Sequence, residues 1–308
     1  MLQNDQIKII KQIWTELHNK PGVFKYNLNI LSRKCLQGKY NIYTELNPDR
    51  AKLRRIPQVI PSLFTKFDHN KFNFSQIKPD EKLLDIPFED VVVSFIINQS
   101  PLTVYHSLIC PDLEKCQPQL ITENSLKFCI EFLLYTDETG FRIGYNSPGA
   151  LASVNHLHLH LLYLDCDIFI DNAELEVIGK SGAYRFSKTM PTEAICYLID
   201  DSNKQSILKT IYELIKFMCH HNIPHNIFIT RDRTQTNKRL KLFIYARDQH
   251  YIVKDTTVLN AGFCEFSGYV TVGDSELFNS LTEEKVFEKL KSESANVYTL
   301  IYKYLNEL

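Results

Sequence analysis

The chain has 308 residues, 44% apolar and 23% charged, which excludes a disordered or low-complexity protein and leaves room for two domains or one duplicated unit with a sizeable core. With 35 basic against 36 acidic residues the formal charge is −1, so no global field draws the molecule to nucleic acid or anionic lipid, and any phosphate must be held locally. The eight cysteines form no C-x-x-C pair and read as reduced thiols of a cytoplasmic protein; no secretion signal opens the chain, and no apolar run reaches the roughly 18 residues of a membrane span.

Residues 5 to 19 carry Ile9, Ile13, Trp14 and Leu17 at helical spacing, and Pro21-Gly22 ends that helix. From Ala51 to Ile86, prolines at 57, 61 and 79 and the segment Phe72-Asn-Phe74 point to an extended arm, with the Lys52-Leu-Arg-Arg55 run taken as a solvated face rather than a binding patch. Val91 to Asn98 and Tyr105 to Cys110 read as strands, and Thr122 to Asp137 as a helix capped by Thr122 or Asn124 and stopped at Thr139-Gly140. Phe141 to Tyr145 is a short strand, Asn146-Ser-Pro-Gly-Ala150 a loop, and Val154 to Leu164 a further strand. A weaker echo follows: helix Ile207 to Cys219, strands His225 to Thr230 and Leu240 to Tyr245, and helical periodicity from Val286 to Leu305. This predicts an ancient duplication, with an N-terminal helix and arm over 1–69, one half over 70–190 and a degenerate half over 191–308.

The chemistry concentrates in Asn155-His-Leu-His-Leu-His-Leu-Leu162. If this segment is a strand, alternation places His156, His158 and His160 on one face and Leu157, Leu159 and Leu161 on the other. Packing alone rarely selects three histidines in five residues, because each brings two ring nitrogens that need partners when buried. Two other readings stay open. A solvated strand face could carry them, or two could ligate zinc with a third ligand from Cys166, His220, His221 or His225. The preceding loop, Gly144 to Ser153, is rich in small and hydroxyl residues whose amides and side chains can hold phosphate oxygens without net charge, although Asn-Ser-Pro-Gly is also ordinary turn chemistry.

The run His-Leu-His-Leu-His-Leu-Leu resembles the histidine-triad signature, in which histidines alternate with apolar residues. Gly144 to His160, together with Phe72 to Pro79, Ile97-Asn-Gln-Ser-Pro-Leu102, Asn226 to Arg231 and Tyr245-Ala-Arg247, looks more narrowly like the GDP-D-glucose phosphorylase family, the animal relatives of plant GDP-L-galactose phosphorylases. His160, where the plant members usually carry glutamine, favours the animal branch. The resemblance implies an α+β fold, a histidine-triad-like antiparallel sheet with helices, in two degenerate halves as in the galactose-1-phosphate uridylyltransferase branch. It also implies GDP-D-glucose and inorganic phosphate as substrates, no cofactor or metal, no nucleic-acid or membrane partner, and a possible homodimer. His158 is then the nucleophile, attacking the α-phosphorus with one ring nitrogen while the other donates to a backbone carbonyl. His156 orients the segment and His160 contacts the transferred phosphoryl group. Ser153, Asn155, Asn146 and Ser147 face the phosphates, with Asn98, Arg231 and Arg247 as further contacts. A triad nucleotide hydrolase and a non-catalytic nucleotide sensor are the competing functions.

Overall fold

The computed structural model describes residues 4–233, 238–248, 251, 258–294 and 296–307. The chain opens with α1 (Asn4–His18), β1 (Ser32–Cys35), β2 (Tyr43–Leu46) and α2 (Pro48–Leu53), then β3 (Lys82–Phe88), β4 (Val91–Ile97), β5 (Ser107–Pro111), α3 (Glu123–Tyr135), β6 (Phe141–Asn146) and β7 (Leu159–Tyr163). It continues through β8 (Leu175–Ile178), β9 (Ala183–Phe186), β10 (Ile195–Ile199), α4 (Lys204–His220), β11 (His225–Arg231) and β12 (Leu240–Ala246). Last come α5 (Phe263–Phe266), β13 (Tyr269–Val272), α6 (Ser275–Ser280), α7 (Glu283–Ser292) and α8 (Tyr298–Glu307).

Among the described residues one large sheet runs in the order β3-β4-β5-β7-β6-β11-β12-β10-β9-β8, antiparallel at every pairing. Outward from the central β6·β11 seam the order is β7, β5, β4, β3 on one side and β12, β10, β9, β8 on the other. In sequence α3 falls between β5 and β6, and α4 falls between β10 and β11. Each half is therefore the same β-β-β-α-β-β unit, which is how a duplicated chain closes one sheet around a shared core. By pairing, β8 and β9 belong to the second half although they precede residue 190.

Period-2 alternation sorts the sheet's side chains into two cores. Phe141, Ile143, Tyr145, Leu157, Leu159, Leu161, Ile227 and Ile229 face α1, α3, α4 and α8. Leu162, Phe228, Phe243 and Tyr245 face the opposite layer, which contains α5, α6, α7 and the small β1-β2-β13 sheet. In that second layer Arg142 of β6 is fully buried and pairs with both carboxylate oxygens of Asp171 at 2.9 Å. A buried ion pair of this geometry tolerates no loss of one partner.

Four expectations need correction. The histidine segment is not one strand: regular pairing begins only at Leu159, and residues 154–156 form a bend. Asn155 and Gln119 hold the backbone there in place of a ladder, as described below. The arm is not extended throughout, since it contains α2 and ends in β3. Its basic run is not a solvated face either. Lys52 and Leu53 are exposed, but Arg54 and Arg55 are part-buried and turn inward. The terminal periodicity resolves into two helices, α7 and α8.

Candidate active site

Gln119 builds the local frame. Its side-chain Oε1 accepts the His158 N–H at 2.9 Å, and its Nε2 donates to the carbonyls of His158 and Asn146, each at 3.0 Å. Its backbone N–H donates to Asn155 Oδ1 at 3.0 Å, and its carbonyl accepts from the Tyr145 hydroxyl. One buried amide thus replaces the strand ladder that the histidine segment lacks, which is the satisfaction a buried backbone requires. Asn155 ties the arm down from the other side: its Nδ2 donates to the carbonyls of Thr65 and Lys66, and its own N–H donates to Gln58 Oε1.

Each histidine then has a definite partner. His158 Nδ1 lies 2.7 Å from the His156 carbonyl, so Nδ1 carries the proton and Nε2 keeps the lone pair. Burial, with the Arg55 guanidinium nearby adding to it, pushes the His158 pKa down to about 4. The ring is therefore neutral near pH 7. His156 accepts the Phe74 N–H on Nδ1 at 3.0 Å and packs edge-on against Phe67, which anchors the bend to the arm. Burial likewise lowers its pKa to about 4. His160 lies on β7 between Leu108 and Gly144 in register, with its ring 5.1 Å from those of His158 and Phe263.

A fourth histidine completes the set. His106 is fully buried, and its Nδ1 accepts the Leu102 N–H at 2.9 Å, which leaves its proton on Nε2. That nitrogen is 3.0 Å from His160 Nδ1, so a neutral His160 carries its own proton on Nε2. Burial, with Arg50 and His158 nearby, holds His106 well below its usual pKa. It is a positioning group that fixes a tautomer rather than a charged one.

Two cavities meet at this point and share Ser153 and His160. One has an apolar wall of Phe72, Phe74, Ile77, Ile96 and Leu108, with His158, Asn98 and Arg55 at its polar side; Arg55 stacks 3.7 Å over the Phe72 ring. The other is lined by Asn47, Arg50, Arg54, Asn146 and Glu265.

Of the residues singled out from sequence, His158, His160, Ser153, Asn98 and Asn146 line these cavities. His156 and Asn155 stand behind them as fasteners. Ser147 is fully buried, and its hydroxyl accepts the His225 N–H, which locks the loop to β11. Arg231 does not join the site: it donates to the carbonyls of Leu133 and Thr136 at 2.6 Å and so closes the C-terminus of α3. Arg247 is buried against Glu293 at 2.6 Å and Asn226 at 2.8 Å. Sequence reasoning missed Gln119, His106, Arg50, Arg54 and Arg55. For Arg54 and Arg55 only the basic run itself was a signal, for His106 only its proximity to Asn98, and Arg50 lies outside that run. Among the described residues no three His, Cys, Asp or Glu side chains converge as a metal-binding group.

An internally duplicated antiparallel sheet, with a neutral, tautomer-fixed histidine in an aromatic cavity that adjoins a cationic one, defines the class: a histidine-triad-type fold. The fold matches yeast Ap4A phosphorylase Apa2 with a TM-score of 0.68 at 14% identity, covering 96% of this chain and 95% of that one. The family profile "GDPGP1-like, N-terminal domain" matches residues 7–162, and "GDPGP1-like, C-terminal domain" matches residues 176–299. GDP-D-glucose phosphorylase 1 of Xenopus laevis is 31% identical over 91% of this chain and 82% of its own length. The Danio rerio protein of that name is 33% identical over 89% and 82%, and GDP-L-galactose phosphorylase 2 of Arabidopsis thaliana is 28% identical over 87% and 68%. The chain belongs to the GDPGP1-like family.

Proposed function

We propose that this chain is a GDP-hexose phosphorylase that converts GDP-D-glucose and phosphate to GDP and glucose 1-phosphate through a guanylyl-histidine on His158. The observation that carries the mechanism is the 2.7 Å contact between His158 Nδ1 and the His156 carbonyl. It fixes the tautomer, and burial keeps Nε2 unprotonated at neutral pH. The Nε2 lone pair attacks the α-phosphorus, the bond from that phosphorus to the bridging oxygen breaks, and its electron pair leaves with glucose 1-phosphate. The Nδ1 proton stays against the carbonyl, which stabilises the positive charge that the ring gains. A phosphate monoester is a good leaving group, so positioning and charge stabilisation dominate the barrier. The nucleoside fits the aromatic cavity, where Phe72 and Phe74 offer flat apolar contact and Arg55 approaches the side of His158.

The names of the relatives support phosphorolysis over hydrolysis. A non-catalytic sensor would have no use for a nucleophile held in one tautomer. A cytoplasmic location is consistent with eight cysteines that form no C-x-x-C pair and with no described helix long and apolar enough to cross a membrane. Intact-mass measurement after mixing with GDP-D-glucose in phosphate-free buffer tests the reading. Wild type is expected to gain one GMP, discharged as GDP on adding phosphate, whereas His158→Ala gains nothing. Release of GMP at full rate without phosphate would make the protein a hydrolase instead.

A further inference from the structure

The aromatic cavity holds an acidic side chain that the reaction at His158 does not use. Glu81 ends the short helical turn Pro79–Glu81 and lines the cavity with Phe72, Phe74, Ile77 and Ile96. It is 7% exposed. Its Oε1 accepts the Lys78 N–H at 3.1 Å, whereas Oε2 has no hydrogen bond or ion pair among the described residues. Burial lowers the Arg55 pKa to about 10 against the pull of the Glu81 charge, so the two groups are neighbours, but Arg55 stacks on the Phe72 ring instead of closing an ion pair. A carboxylate withdrawn from water between aromatic and aliphatic walls, with one oxygen unused, is costly in a protein unless donors complete it. Flat apolar walls with a carboxylate at their edge call for a planar ring that presents N–H groups.

We propose that Glu81 selects the base: its carboxylate accepts the N1–H and the 2-amino group of a guanine ring lying against Phe72 and Phe74. The assignment rests on the phosphorylase reading, which seats the nucleoside in this cavity, and deepens it by naming the residue that reads the base. Guanine offers two adjacent donors on its pairing edge, which match the two oxygens of one carboxylate. Adenine presents a bare N1 beside a single amino group, so lone pair would face lone pair. Hypoxanthine keeps N1–H but lacks the 2-amino group. Lys25 and Gln99 line the same cavity and carry donors for the guanine O6. Discrimination of this kind works by rejection, because the wrong base leaves a buried carboxylate unpaired, which costs more than a missing apolar contact. The Arg55 charge acts on both Glu81 and His158, so the base-reading group and the reactive nitrogen belong to one cavity and one nucleotide spans both.

The test is calorimetric binding of GMP, IMP, AMP and 2′-deoxy-GMP to wild type and to Glu81→Gln. Glutamine keeps an oxygen for the Lys78 N–H and turns one acceptor into a donor, which suits adenine N1. Wild type is expected to bind GMP, IMP and AMP in falling order. Glu81→Gln is expected to lose about tenfold or more in GMP affinity, with AMP affinity unchanged or raised and the ratio of GMP to 2′-deoxy-GMP affinity as in wild type. An unaltered GMP-to-AMP ratio overturns the assignment, whether the affinities all stay put or all fall together, the second marking Glu81 as a structural residue. A changed ratio of GMP to 2′-deoxy-GMP overturns it too, by making Glu81 a ribose ligand. The phosphorylase reading stands or falls separately, on the mass assay. A protein that binds GMP through Glu81 but forms no guanylyl adduct keeps the base assignment and loses the phosphorylase reading, and wild type that binds no purine nucleotide overturns the base assignment.

Discussion

At the scale of single residues the site depends on which nitrogen of each histidine holds the proton. His158 is fixed by a carbonyl, His156 and His106 by backbone amides, and His160 by His106. A consequence follows for pH. With a His158 pKa near 4, acid protonates this ring, the proposed nucleophile, only well below the ordinary histidine range. The rate of adduct formation is expected to stay level from pH 8 to about 5 and to fall only toward 4; stopped-flow mixing with quench and mass detection measures it. A decline centred near pH 6.5, the ordinary value for a solvated imidazole, would show that His158 is not buried in the working enzyme. The histidine triplet was legible in the sequence because its residue types are rare together. Beyond the backbone carbonyl expected beside His158, its tautomers were not, because the partners of His106 and His156 come from Leu102 and Phe74.

At the scale of elements, close approach between segments shapes the cavity. Gly144 of β6 faces Phe263 of α5, and a Cβ at this position would lie 2.2 Å from that ring. The same ring stacks obliquely on His160. Gly144→Ala should therefore push Phe263 off its seat, lowering stability by about 1 to 3 kcal/mol, as overpacking does, and slowing adduct formation at the same time. Thermal melting and the mass assay would show both, and a variant with wild-type values in each would show that Gly144 does not set the position of Phe263. Helix α3 was readable from Thr122 and its apolar periodicity, and Thr122 does cap it, accepting the Ser125 N–H. The histidine strand was read too long because alternating His and Leu satisfies a strand pattern wherever it lies. What ends the ladder at Leu159 is Gln119, a single buried amide that no local pattern marks.

At the scale of the whole molecule, burying neutral histidines couples stability to pH. His156, His158 and His225 have pKa values lowered to about 4 by burial, and His106 lies well below its usual value. Unfolded, each titrates near 6.5, so between about pH 6.5 and 4 the unfolded chain binds protons that the folded one refuses. Stability from this source is complete above about pH 6.5 and declines below it, by roughly 1 kcal/mol or more per histidine for each pH unit. Urea midpoints at pH 7.5 and 5.5 should differ accordingly, and equal midpoints would show that these rings are solvated in the folded state.

The amino-acid sequence by itself marked the histidine cluster and a weak echo of the first half in the second, because residue type and two-residue periodicity are local properties, but it left β3 and β8 to β10 unread. It also indicated the family through motifs spread along most of the chain. Only the tertiary structure decided that Arg54 and Arg55 are cavity walls rather than a solvated face, and that Arg231 and Arg247 are fasteners rather than ligands. For the last two the physical reason is the same. A guanidinium's role is set by where its acceptors stand, and those lie from about 20 to nearly 100 residues away, at Glu293, Asn226, Leu133 and Thr136, at separations that no sequence pattern records.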